Sequence, residues 1–302
     1  CGTAFSYQGQ PMAFASGQDP RLTVTAFNRQ NVVTGNYDRG DFWRLSLPGR
    51  DAYLSVTGKA SLDTVGRLQA QGTLTTSQSG ADGGDGARTW RGSGEQLLYA
   101  PATVPQADDL PFNAAIRQGF SASALTDADG ACVGSGSTCQ TYSYDFSGSQ
   151  VRLGRLSIGN AHGSELQPLA LPLRLESWQG SSTGLFQLEG ADTCTAAVLG
   201  QPQLGTPTGN LSVGDTTASL SSPTLTAAQG VITLTAPGAG NDGSVPVGLP
   251  TPTACIAGQA NCLPDWLWFD WRGNGREAPQ GLATFGVYRG AAPLIYRREL
   301  YR

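Results

Sequence analysis

The sequence predicts an all-β chain, folded as two β-sandwich domains of immunoglobulin-like type with long, disulfide-stapled loops. Three observations lead there. Apolar residues alternate with polar ones in many short runs, the period of half-buried strands. Gly and Pro number 41 and 18 in 302 residues, so turns are frequent. No segment keeps a helical apolar period over several turns. Hydrophobic residues make up 39%, too many for a disordered chain, while charged residues are only 14%.

The elements follow in order. Leu22-Thr23-Val24-Thr25-Ala26 places its apolar side chains on one strand face. Residues 77–94, rich in Ser, Gly and Asp, read as a long exposed loop, and residues 128–140 as another. Ile158-Gly159-Asn160-Ala161-His162-Gly163-Ser164 reads as a seam, which sets the domains at 1–158 and 159–302. Leu171, Leu173 and Leu175 alternate with Pro172, Arg174 and Glu176. Leu211 and Val213 suggest another short strand, and Ile232 and Leu234 alternate with Thr233 and Thr235. Gly240-Asn241-Asp242-Gly243 marks a turn. No repeat of fixed period is visible, which argues against a solenoid or propeller.

Charge removes several functions. The net charge is −4 and the basic residues form no extended face. Nucleic acid binding needs such a face, so none is expected. No apolar run reaches the eighteen or so residues of a membrane helix and none follows a basic start, so neither membrane insertion nor a signal peptide is expected within this sequence. The chain starts at Cys1 without Met, as a processed chain or a fragment would.

Six cysteines are present. Cys132/Cys139 and Cys255/Cys262 share a C-x6-C spacing in small-residue sequence, as stapled loop tips would. Cys1 and Cys194 are left as a long-range pair, with lipidation of Cys1 as an alternative. The spacing is wrong for zinc, and one His is too few to help. Disulfides imply an oxidising compartment: the cell surface, the periplasm or the medium.

Candidate chemistry is sparse. His162 is the only His, so any Ser-His or Cys-His mechanism must use it. The one G-x-S-x-G match, Gly180-Ser181-Ser182-Thr183-Gly184, lies between strand-like flanks rather than at a strand-to-helix elbow. Glu165, Glu176, Glu189 and Asp192 are close in sequence, but no spacing singles out a glycosidase pair. Asp108-Asp109 reads as a turn. No enzyme activity is therefore expected, and no cofactor beyond calcium. Asp127-Ala128-Asp129-Gly130 has the D-x-D-G start of a calcium loop, and Asp270 opens a second stretch of that shape with Glu277 nearby. Arg272 stands in that stretch where a ligand oxygen is wanted. Good turn chemistry explains both stretches equally well. The aromatic run Trp266-Leu267-Trp268-Phe269-Asp270-Trp271 reads as a central buried strand. Alternatively, Trp266, Trp268 and Trp271 supply an exposed platform for glycans.

Several longer stretches then fall into a familiar order. Phe5-Ser6-Tyr7-Gln8-Gly9-Gln10-Pro11, Leu22 to Asn28 and Asn36-Tyr37 come first. Gly154-Arg155-Leu156-Ser157-Ile158-Gly159-Asn160-Ala161-His162-Gly163-Ser164-Glu165-Leu166 follows, then Pro172-Leu173, Glu176-Ser177-Trp178 and Asp192-Thr193-Cys194-Thr195. Phe269-Asp270-Trp271, Ala283 to Gly290 and Ile295 to Glu299 close the series. This order resembles MshQ-like proteins, the MSHA pilus biogenesis family, over nearly the whole chain. The family often carries D-W-D-G-D-G near its end; this chain has Asp270-Trp271-Arg272-Gly273-Asn274-Gly275 instead, with two carboxylates lost. The resemblance implies the C-terminal part of a large secreted or surface protein of Gram-negative bacteria, encoded with type IV pili, and implies no catalysis. The expected function is a surface-exposed, pilus-associated adhesin-like or assembly accessory module. Its expected partners are pilin or minor pilin subunits or other surface proteins, with glycan binding or an envelope structural role as alternatives. The strand Leu294 to Leu300 is a candidate docking edge.

Overall fold

The computed structural model describes residues 5–46, 50–56, 62, 66–135, 138–180, 186–192, 200–220, 225, 228–250 and 263–286. The chain divides into two compact units, Cys1–Gly154 with Trp178–Phe186, and Arg155–Ser177 with Gln187–Arg302. The described regular structure is almost entirely strand, broken by short 3-10 turns, and the architecture is sandwich-like.

The N-terminal unit contains β1 (Phe5–Tyr7), β2 (Met12–Ala13), β3 (Arg21–Thr25), β4 (Leu54–Ser55), β5 (Leu68–Gln71) and β6 (Thr75–Ser79). It continues with β7 (Ala87–Ser93), β8 (Gln96–Tyr99), β9 (Phe112–Phe120), β10 (Gly134–Ser135), β11 (Thr138–Cys139) and β12 (Tyr142–Arg152). These form three sheets, β1-β12-β9-β4, β2-β8-β5 and β3-β7-β6, and the small β10-β11 hairpin. β9 shows why. Its Ala114, Ile116, Gln118 and Phe120 are buried while the residues between are more open. One face therefore carries the apolar burial that stabilises the sheet. Ala114 and Ile116 pack with Leu97, Tyr99 and Val151 in one core, joined by Met12, Phe14 and Phe146. Trp43, Leu45 and Trp90 form a second core with Leu22, Val24 and Tyr37.

Two expectations need correction. Residues 77–94 are not one long loop: β6 and β7 pair antiparallel from Thr75↔Ser93 to Ser79↔Thr89. All of β6 is exposed, so the apolar alternation that betrays a strand is missing. Thr and Ser still satisfy a ladder, and only the Gly-rich tip between the strands is loop. Leu211 and Val213 do not form a strand either. Leu211 is buried but Val213 is 88% exposed. The Ser212 amide donates to the Asp215 carboxylate at 2.7 Å, which closes a turn.

The C-terminal unit's strands are β13 (Gly154–Ile158), β14 (Ala161–Gly163), β15 (Leu169–Trp178), β16 (Phe186–Leu188) and β17 (Gln203–Leu204). They continue with β18 (Thr208–Gly209), β19 (Ala218–Leu220), β20 (Gln229–Leu234), β21 (Gly243–Gly248) and β22 (Gln280–Phe285). One sheet runs β13-β15-β20-β19 with β16 beside β15, and the other β14-β22-β21-β17 with β18 beside β21. Leu171, Leu173 and Leu175 are all at most 1% exposed, as the alternation predicts. Ile232 and Leu234 lie opposite Leu171 and Leu169 in the register. Each such leucine contributes about 2 kcal/mol by its burial. On the second sheet Val245, Val247, Ala283 and Phe285 are buried in the same alternating way. Gly281 lets the sheets approach: a Cβ there would lie 2.6 Å from the Ile158 side chain and 2.8 Å from the Gly159 carbonyl oxygen.

Candidate functional site

The aromatic run of the C-terminal unit is not a strand. Asp265–Leu267 is a 3-10 turn, and Phe269 makes only an isolated bridge with Glu277. Pro264 starts the turn, and the Leu267 and Trp268 amides close back onto Pro264 and Asp265. Arg276 then gathers the Asp265 and Trp268 carbonyls at 2.7 and 2.9 Å. Trp266, Trp268 and Trp271 therefore do not share a strand face. Leu267 is fully buried, Trp266 and Trp268 are half-buried, and Trp271 is 38% exposed.

Trp271 is braced from behind. Its ring meets Phe269 edge-on at 5.3 Å. The Arg155 guanidinium lies 5.0 Å from the Phe269 ring centre and 4.9 Å from that of Trp271. The Arg155 Nε donates to Glu176 Oε2 at 2.8 Å. One cation thus ties β13, β15 and the aromatic turn together by a charge-assisted hydrogen bond and two ring contacts.

Similar joints recur within each unit. A Cβ on Gly154 would lie 2.4 Å from the Tyr7 ring. Asn160 Oδ1 accepts the Leu282 amide at 2.8 Å. Ala161, His162 and Gly163 run parallel beside Ala283, Thr284 and Phe285. The Glu165 carbonyl accepts the Gly238 amide at 2.9 Å. His162 is an exposed residue of β14. Glu176, Glu189 and Asp192 are each at most 9% exposed.

In the N-terminal unit the Asp127 carboxylate holds its own turn. Oδ1 accepts the Asp129 and Ala131 amides at 2.9 and 2.8 Å, and Oδ2 accepts the Tyr37 hydroxyl at 2.6 Å. Burial pushes the Tyr37 phenol up, and its hydrogen bond to Asp127 and that carboxylate's charge push it further, to about 12. Asp129 faces Arg44 at 3.6 Å. Asp270 Oδ1 accepts the Gly275 amide at 3.2 Å, and Arg272 pairs with Glu277 at 3.4 Å. Among the described residues no group of three or more His, Cys, Asp or Glu side chains is placed to hold a metal ion.

Cys132 and Cys139 form a disulfide across the β10-β11 hairpin. Cys1, Cys194, Cys255 and Cys262 lie outside the described residues, as do the centre of the G-x-S-x-G match and the strand predicted at Leu294 to Leu300. Among the described residues no helix is long and apolar enough to cross a membrane.

Sequence reasoning missed two polar clusters. Asp109 is fully buried and binds Arg67 and Gln8 at 2.6 and 3.0 Å. A turn-like Asp-Asp pair gave no hint of a buried ion pair. Arg50 grips both Glu95 oxygens at 2.9 and 3.1 Å, and the Tyr53 hydroxyl donates to Glu95 at 2.5 Å. Burial pushes the Glu95 carboxyl up, but the hydrogen bonds from Arg50 and Tyr53 outweigh it and hold it below its usual 4.5. Arg50 also borders a cavity of about 210 Å³ walled by Leu22, Leu74, Trp90, Phe120 and Tyr144. These residues are scattered from position 22 to 144, and only the three-dimensional pairing of the sheets assembles them.

Fold and side-chain geometry define a two-unit, all-β protein with one disulfide among the described residues. Residues 1–148 match the family model described as DUF6701, third domain, and residues 152–300 that described as DUF6701, fourth domain. The chain belongs to the DUF6701 family and carries its third and fourth domains. No curated protein and no solved structure matches it.

Proposed function

We propose that this chain is a non-enzymatic, surface-exposed part of a type IV, MSHA-like pilus system, acting as an adhesin-like or assembly accessory module. The observation that carries this reading is the ordered resemblance to MshQ-like proteins, whose residues here act as joints. Gly154, Arg155, Asn160, Glu176, Phe269 and Trp271 are spent on packing, hydrogen bonding and ion pairing. That use fits a recurring scaffold rather than a reaction centre. The Cys132–Cys139 bridge fits an extracellular or cell-surface location. Both units are read as immunoglobulin-like sandwiches. In support, β1 runs parallel beside β12, and β14 parallel beside β22, so each unit joins an early strand to its last described one in the same way.

Fractionation tests the reading. Pili sheared from intact cells should carry the protein, seen by immunoblot, and a strain without the major pilin should lose it from that fraction. Equal recovery from pilus-free cells would contradict it. A second reading, a carbohydrate-binding module, rests on Trp271, whose ring is exposed and braced by Arg155. Quenching of Trp fluorescence relieved by a glycan, and absent in Trp271→Ala, would move it to first place.

A further inference from the structure

The cavity of the N-terminal unit has the size and walls of a side-chain pocket. Trp90 and Phe120, at most 5% exposed, line it with Leu22, Leu74 and Tyr144. Gly92 also lines it, and a Cβ there would lie 2.9 Å from Leu74 Cδ1. Its volume of about 210 Å³ exceeds the roughly 150 Å³ in which an apolar cavity holds a benzene ring. Among the described residues, the hydroxyls lining it are those of Thr76 and Tyr144. Leu22, Leu74 and Phe120 offer a pyranose's hydroxyls no partner, so burying them against those walls would be costly. An apolar side chain buries no polar group by entering.

The mouth carries excess positive charge. Arg21 and Arg91, the exposed arginines of the lining, sit directly opposite each other on β3 and β7. Like charges in that position repel. Asp19 takes Arg91, accepting from its Nε at 3.0 Å. Glu95 takes Arg50. Arg21 Nη2 donates only to the Gly17 carbonyl at 2.7 Å, and among the described residues no carboxylate meets it. Three guanidiniums thus share two carboxylates.

We propose that this cavity holds a bulky apolar side chain of a partner polypeptide, with a neighbouring carboxylate of that partner on Arg21. The site rests on the cavity and its charges, whether or not the protein travels with pili.

The test titrates the full chain with the blocked peptide acetyl-Gly-Phe-Asp-Gly-amide, followed by Trp emission and calorimetry. The same peptide with Asn in place of Asp, and glucuronic acid, serve as comparisons. Saturable binding of the Asp peptide is expected, at least about fivefold weaker for the Asn peptide and for Arg21→Gln, the worth of one charge-assisted contact. Thr76→Phe should abolish binding by filling the cavity. Both variants change exposed strand residues, and unchanged melting temperatures will show that they fold. Equal binding of the Asp and Asn peptides, or no saturation at millimolar peptide, would overturn the proposal. Binding of glucuronic acid without the peptide would overturn it too, and would assign the cavity to an acidic sugar.

Discussion

Arg155 shows how much one residue holds together. It pairs with Glu176 and lies against both Phe269 and Trp271. Arg155→Ala should cost about 2–3 kcal/mol, because it leaves Glu176 mostly buried without its cation. Urea denaturation measures this, and Arg155→Lys should restore only part, since an ammonium lacks the planar face. Gly281→Val should cost about 1–3 kcal/mol by forcing the two sheets apart at Ile158 and Gly159. Acid sensitivity follows from Glu95. Its carboxyl is held below 4.5 in the folded protein, so the unfolded chain binds more protons between the two values. The stability it adds is fully present above pH 4.5 and is lost as pH falls through the folded value. Glu95→Gln should therefore flatten the acid limb of stability below pH 4.5, read from melting temperature against pH. None of these contacts could be read from spacing. Glu95 is 45 residues from Arg50, and Arg155 lies more than a hundred residues before Trp271.

At the scale of elements, legibility followed burial. β15 and β20 were readable because one face is buried and the alternation is clean. β6 was not, because every side chain is exposed and Thr, Ser and Gln read equally well as loop. The tryptophan run misled for the opposite reason: it is apolar throughout, and backbone closure by Pro264 and Arg276 decided its shape. The C-x6-C hairpin was legible at Cys132 and Cys139. Opening that loop by Cys132→Ser with Cys139→Ser should cost about 2.5 kcal/mol in the chain-entropy model, measured against the parent by thermal melting. The D-x-D-G stretch was legible, and its Asp127 carboxylate closes its own turn. Asp127 already accepts three hydrogen bonds, so millimolar calcium should leave the melting temperature unchanged. A rise of several degrees would show that the turn opens to take the ion.

For the whole molecule, the all-β class was within reach of composition and pattern. Gly and Pro content, low charge and period-two runs all point the same way. The strand pairings that build each sheet join residues far apart in the chain, as β1 with β12, and no local pattern encodes them. The proposed function lay further off still, because the residues that prompt it serve packing here. The central claim is that this is a surface component travelling with pili. Immunogold electron microscopy on intact cells, before and after shearing, tests it most directly. Label along or at the tips of pili, lost on shearing, is the predicted result. Label confined to the cell body and unchanged by shearing would contradict it.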